Sequence, residues 1–377
     1  MRDRLVSDDP AERRSAAADL YHVAGDDPDA AAEYAPVLVD LTDGEAASEY
    51  ATATLHRIVS AGVLDIEAHV NTLEEGVADD GHLASSFGSG VDDRNPQSVT
   101  ETELRRSAEL LAWIAKHQPT DLADEAGALR GALPLEPARP GAMKALFLLS
   151  SSPTTRLDVP TKAIVAYVDD DDPRVRGDAI GTVGQLERFG KRHDAVPYFS
   201  TLIGAVEDPD VTVKQTALGV LTRGAEYWTH SLSARQLHSA VERVLALCDR
   251  ESDPTVRSRA RSLFYDLASA VVNTAARSAL GVDGTPNRAV ADGLVETAAR
   301  DVALASTVAT SLNYHHDADT EVRRDTLLDR IAERYPDRFA SGSELLQTTL
   351  NEDGKRPGDV PALVLDLASV LLDATAE

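Results

Sequence analysis

The chain has 377 residues, 43% of them hydrophobic and 27% charged, which is the balance of a folded chain and excludes a disordered tail or a membrane protein. Its 63 Asp and Glu against 37 Lys and Arg leave a formal charge of −26, a field that repels phosphate backbones and anionic lipid and disfavours generic nucleic-acid binding. The only cysteine is Cys248, so an intramolecular disulfide and a thiolate zinc site are both excluded.

In chain order, Met1 to Leu5 carries no apolar leader, and a cytoplasmic location is expected. Asp9-Pro10 followed by Ala16 reads as a helix start, with Asp capping and Pro in the first turn. Residues 1–75 form N-terminal helical units, and 76–100, rich in Gly, Ser and Asp and including Phe87, reads as a loop. Residues 101–377 form the main array. Within it, Leu104 to Ala108 is a weak repeat, and Pro134, Pro137 and Pro140 mark a break with a further start near Arg139 to Ala142. Two strings, Asp172-Pro173-Arg174-Val175-Arg176-Gly177-Asp178-Ala179 and Asp253-Pro254-Thr255-Val256-Arg257-Ser258-Arg259-Ala260, share the pattern Asp-Pro-x-Val-Arg-x-x-Ala. Asp208-Pro209 followed by Val213-Lys214-Gln215-Thr216-Ala217 lies between them, so the period is near 40 residues. Val and the Ala four residues on share one helical face, and Ile180, Val183 and Leu186, or Phe264, Leu267 and Val271, continue it inward. Gly281 to Pro286 is another break, Arg288 to Ala291 and Val322 to Thr326 are weak copies, and Pro361 to Leu372 is expected to cap the stack through Leu363, Leu367, Val370 and Leu371. That last segment and Ala142 to Leu149 are the most apolar, and both are too short to span a membrane.

A pair of such helices cannot bury its own apolar face, so the expected fold is all-α, an α-solenoid of about eight to ten stacked helix pairs. The repeated string at this period resembles the HEAT family of armadillo-like helical repeats. The match is strongest over about residues 160–270 and poor over 76–100. The resemblance implies second helices lining a concave face and a ladder in which Asp172 pairs with Arg176, Asp208 with Lys214, and Asp253 with Arg257. Lys214 and Thr326 depart from the family pattern. Acids that are mostly Asp and bases that are mostly Arg also resemble cytoplasmic proteins of salt-in halophiles, so a halophilic archaeal source is expected. In molar KCl the screening length falls to about 3 Å and the carboxylates cease to repel one another.

No motif names a reaction. His315-His316-Asp317 is the only histidine cluster and reads as a polar turn, and neither a metal nor a cofactor is expected. Gly190-Lys191-Arg192 lacks the glycine and hydroxyl of a phosphate loop, and Asp169 to Asp172 lacks the spaced ligands of a calcium loop. The His-Glu pairs of HEAT-type hydroxylases are missing too.

One functional gradient is visible. Residues 174–261 hold 13 bases and 11 acids, a near-neutral centre in an acidic chain, where a partner meets least repulsion. Arg188, Arg192, Arg223, Tyr227, Trp228 and Arg259 are the candidate partner-binding residues. The expected function is a non-catalytic protein-binding scaffold or adaptor. The alternatives are a nucleic-acid-associated or repair-glycosylase-like protein using the Arg-rich centre, which fails if those bases pair with Asp178, Glu187, Glu242 and Glu251, and a regulatory subunit of a chromosome-organising complex.

Overall fold

The computed structural model describes residues 1–42, 47–86, 99–189, 196–228, 232–282, 284–315, 319–351 and 361–374. Among them every regular element is helical. The chain divides into two compact units, Met1–Lys191 and Arg192–Glu377. The expected divisions near residues 75 and 101 fall inside the first of them.

The first unit contains α1 (Arg2–Leu5), α2 (Pro10–Asp26), α3 (Pro28–Ala32), α4 (Ala35–Thr42), α5 (Ser48–Ser60), α6 (Ile66–Ser86), α7 (Glu101–His117), α8 (Pro119–Leu122), α9 (Ala126–Ala132), α10 (Arg139–Ser151), α11 (Thr161–Val165) and α12 (Pro173–Phe189). Here α4 pairs with α5, α6 with α7, α9 with α10 and α11 with α12, while α2, α5, α7, α10 and α12 pack successively as a second layer. The second unit contains α13 (Val196–Gly204), α14 (Val211–Trp228), α15 (Ala234–Arg250), α16 (Pro254–Leu280), α17 (Arg288–Ala298), α18 (Val302–Tyr314), α19 (Glu321–Ala332), α20 (Gly342–Asn351) and α21 (Pro361–Ala374). Its pairs are α13 with α14, α15 with α16, α17 with α18, and α19 with α20, and its second layer runs α14, α16, α18, α20. Four pairs in each unit make eight among the described residues, and within each unit the pairs bury their apolar stripes against their neighbours.

The repeated string does what helix chemistry requires of it. Asp9 accepts from the Ala11 amide at 2.9 Å, Asp172 from Arg174 at 2.8 Å, and Asp253 from Thr255 and Val256 at 2.9 and 2.8 Å, each capping a helix whose first residue is proline. Val175, Val213 and Val256 are buried, with Ala179, Ala217 and Ala260 one turn on, so each helix seats the same face. The middle repeat is offset: Asp210, two residues after Asp208, caps α14 through the Thr212 and Val213 amides.

Three further expectations need correction. The segment 76–100 is not a loop throughout, because α6 continues to Ser86. Gly76 lies where a β-carbon would run into the Leu104 side chain, so this glycine serves close packing against α7. Phe87 lies outside the described residues. The weak copy at Val322 does not start a second-layer helix: Val322 is 78% exposed, and α19 buries Leu327, Leu328 and Ile331 instead. Finally, α21 does not cap the stack. It packs against the first-layer helices α15 and α17 and against α16 of the second layer, all earlier in the chain than its neighbour α20. The 27 residues of α16 make it about 40 Å long, which gives α15, α17 and α21 a common support.

Candidate partner-binding face and ladder

The acids and bases of the turns make contacts between successive helix pairs as well as within them. Arg139 at the start of α10 pairs with Asp170 at 2.8 Å, and Lys214 in α14 pairs with Glu251, 37 residues on, with 14% and 7% of the two side chains exposed. Asp170, Asp208 and Glu251 each accept the amide two residues on, from Asp172, Asp210 and Asp253. The acid that does this double duty thus precedes the capping Asp. Of the residues assigned to the ladder from sequence, Asp172 and Asp253 cap helices, Arg176 donates to the carbonyls of Asp170 and Asp171 at 2.7 and 3.0 Å, and Arg257 donates to the Glu251 carbonyl at 3.5 Å. The described contact of Lys214 joins successive helix pairs through Glu251. The physical reason is reach: a base one turn into a helix projects over the neighbouring turn, where it meets the carboxylate of the next unit.

Electrostatics follow these contacts. Burial opposes ionisation of Asp172, but hydrogen bonds from the Arg174 side chain and amide outweigh it and hold the carboxyl below its usual range. The Lys214 hydrogen bond does the same for Glu251. Asp178 goes the other way: burial raises it, and Lys144 at 3.3 Å only partly compensates. The near-neutral centre therefore spends much of its charge internally. Arg174 binds Asp172, Arg243 binds Glu207, and Lys214 binds Glu251.

Two of the candidate partner residues converge. Arg223 on α14 and Arg259 on α16 are both exposed, and their Nη1 atoms lie 3.4 and 3.7 Å from the point where Gly219 would carry a β-carbon. Arg259 also donates to the Gln215 carbonyl at 2.8 Å, bridging two second-layer helices. Both guanidinium groups thus lie over the same turn of α14, at ordinary contact distance from Gly219. Tyr227 and Trp228 fall in the last turn of α14, so the same helix carries them, but their side chains lie outside the described set, as does that of Arg188 in α12. Arg192 lies outside the described residues altogether.

No protein-family model matches the chain, and no curated protein matches it. Among solved structures, an engineered protein is similar at 16% identity, over 100% of this chain and 98% of its own, with a TM-score of 0.42. An archaeal HEAT-like repeats protein from Thermococcus onnurineus NA1 is similar at 17% identity, over 67% of this chain and 97% of its own, with a TM-score of 0.39.

Burial pushes the Cys248 thiol up, away from the thiolate form a nucleophile needs. Among the described residues no helix is long and apolar enough to cross a membrane, and no three His, Cys, Asp or Glu side chains gather as a metal site. His315 follows α18, while His316 and Asp317 lie outside the described residues. Sequence reasoning overlooked Tyr314, which ends α18 with 78% of its surface exposed. Its sequence neighbours carry no signal for that, since exposure depends on which face α18 turns to α16 and α20.

Proposed function

We propose that the chain is a HEAT-like, non-catalytic scaffold that works in the cytoplasm at molar salt and binds a protein partner on the second-layer face of α14 and α16. The observation that carries this reading is the convergence of Arg223 and Arg259 on Gly219, two exposed guanidinium groups in a chain of formal charge −26. An acidic segment of a partner meets two exposed guanidinium groups there, in the part of the chain whose sequence is nearest to neutral. The paired-helix architecture supports the same reading, because stacked units offer a broad, rigid surface.

The test is affinity recovery from lysate of the source organism in molar KCl, with wild-type protein and with Arg223→Glu/Arg259→Glu. One stoichiometric protein held by the wild type and lost from the double variant supports the scaffold. Equal recovery by both variants, or recovery abolished by nuclease, overturns it.

A further inference from the structure

The C-terminal ends of α5 and α7 meet through two imidazoles. His56 on α5 and His117 on α7 lie edge to face with ring centres 4.6 Å apart, and His117 also stacks on Trp113, one turn earlier on its own helix, at 5.9 Å. Beside them Gln118 closes on Gly62, where a β-carbon would lie 3.1 Å from the Gln118 Nε2. Nothing in this contact accommodates a second proton on His117, whose Nε2 is buried with no hydrogen-bond partner among the described residues. A neutral imidazole can leave one nitrogen bare, whereas an imidazolium makes both nitrogens donors that need acceptors. The charges that act on the ring are also of the wrong sign: His56 across from it on α5, and Lys116 on α7 itself. Helices α4, α6, α8 and α10 pack on α7 as well, and none brings a described charged group that acts on His117. The end of a helix favours a cation, but burial first, then His56 and Lys116, outweigh it and hold His117 below the usual histidine range.

We propose that the contact of His56 with His117 is an acid-released latch: it joins the ends of α5 and α7 while His117 is neutral, and a proton taken up by His117 frees the last turn of α7 and uncovers Trp113. The direction follows from linkage. The folded protein binds this proton less readily than the unfolded chain, so the stability of the contact is complete above about pH 6.5 and is lost as pH falls through the lowered value. Opening is local because the contact sits at helix ends, where the least structure has to be given up. His56 is already exposed, while Leu104, Ala108 and Leu111, further back along α7, are buried and keep that helix in the core. The latch lies in the first unit and uses none of the Arg223 and Arg259 face, so each proposal stands or falls alone.

The experiment uses the full-length chain in molar KCl with Trp228→Phe, which leaves Trp113 as the only indole. Its emission, followed downward from about pH 8 to about pH 5, should change in one step with a midpoint below about 6.5, because the ring stacked on it gains charge and leaves. His56→Gln, at an exposed position, removes the facing imidazole and should move that midpoint upward. His117→Gln should abolish the step. Hydrogen exchange measured below the midpoint should quicken at the amides from Ile114 to Gln118 and stay slow in α10. A midpoint at or above about 6.5, or one that His56→Gln leaves in place, overturns the proposal. So does a step that persists without His117. Exchange that quickens through the whole first unit at once overturns it too, since that is acid unfolding and not the release of one turn.

Discussion

Asp178 and Glu251 show how one residue type of charge can work for or against the fold. Glu251 is held ionised by Lys214, whereas Asp178 is half-buried beside a Lys144 that is 48% exposed and compensates it poorly. Because the folded carboxyl of Asp178 ionises less readily than the unfolded one, stability from this group is gained as pH falls through the raised value and is lacking at neutral pH. Asp178→Asn should therefore stabilise the protein at pH 7 by about 1 kcal/mol, since the amide keeps the shape of the neutral carboxyl and removes the desolvation cost of the charge, while the Lys144 left behind stays in water. Denaturant unfolding of both proteins checks this. The difference should shrink as pH is lowered and the wild-type carboxyl is protonated, and a variant less stable than wild type at pH 7 contradicts the assignment. At this scale the sequence was legible where chemistry is local. Asp172 and Asp253 were readable as caps because cap, proline and first turn are adjacent in the chain. The partner of Lys214 was not, since Glu251 lies 37 residues away and only the spacing of stacked units brings it within reach.

Between elements, the decisive quantity is how closely two helices approach. Gly141 on α10 crosses the backbone of α7 so tightly that a β-carbon would lie 2.5 Å from the Ala108 carbonyl carbon and 2.6 Å from the Glu109 nitrogen. Backbone cannot step aside as a flexible side chain can, so Gly141→Ala should force α7 and α10 apart and cost about 2 kcal/mol or more, despite the better helix propensity of alanine. A urea midpoint equal to or above that of wild type refutes the close crossing. Helix starts were legible in the same way as caps, whereas layer assignment was not. The Arg288 and Val322 segments are weak copies of the strong string, and the helices they begin, α17 and α19, are first-layer helices, with α18 and α20 in the second layer. Periodicity reports the face that is buried and not the layer that buries it. The placement of α21 was hidden for a related reason: its apolar stripe announces burial, but its acceptors are two walls separated from it in sequence and held on the 27-residue α16.

For the molecule as a whole, the excess of 63 acids over 37 bases dominates. The described surface ion pairs do little to contain it: the members of Arg4–Asp19, Arg334–Glu296 and Arg300–Asp366 are each 40% to 64% exposed, where a pair contributes about 0–1 kcal/mol and is itself weakened by salt. Uncompensated carboxylates therefore repel one another most at low ionic strength, and the folded state, which holds them closest together, suffers more than the unfolded chain. Added KCl should raise the melting temperature by about 10 °C or more between dilute buffer and molar salt, the net of relieved repulsion and lost pair energy. The shape of that rise separates two causes. Screening is nearly complete once the Debye length has fallen to about 3 Å at 1 M, so a rise confined below that concentration reports repulsion alone. Continued gain above 1 M KCl reports hydration and cation uptake by the Asp-rich surface, which is the behaviour a salt-adapted protein requires. A melting temperature that is flat across the whole range removes both causes, and with them the reading of this composition as an adaptation to salt.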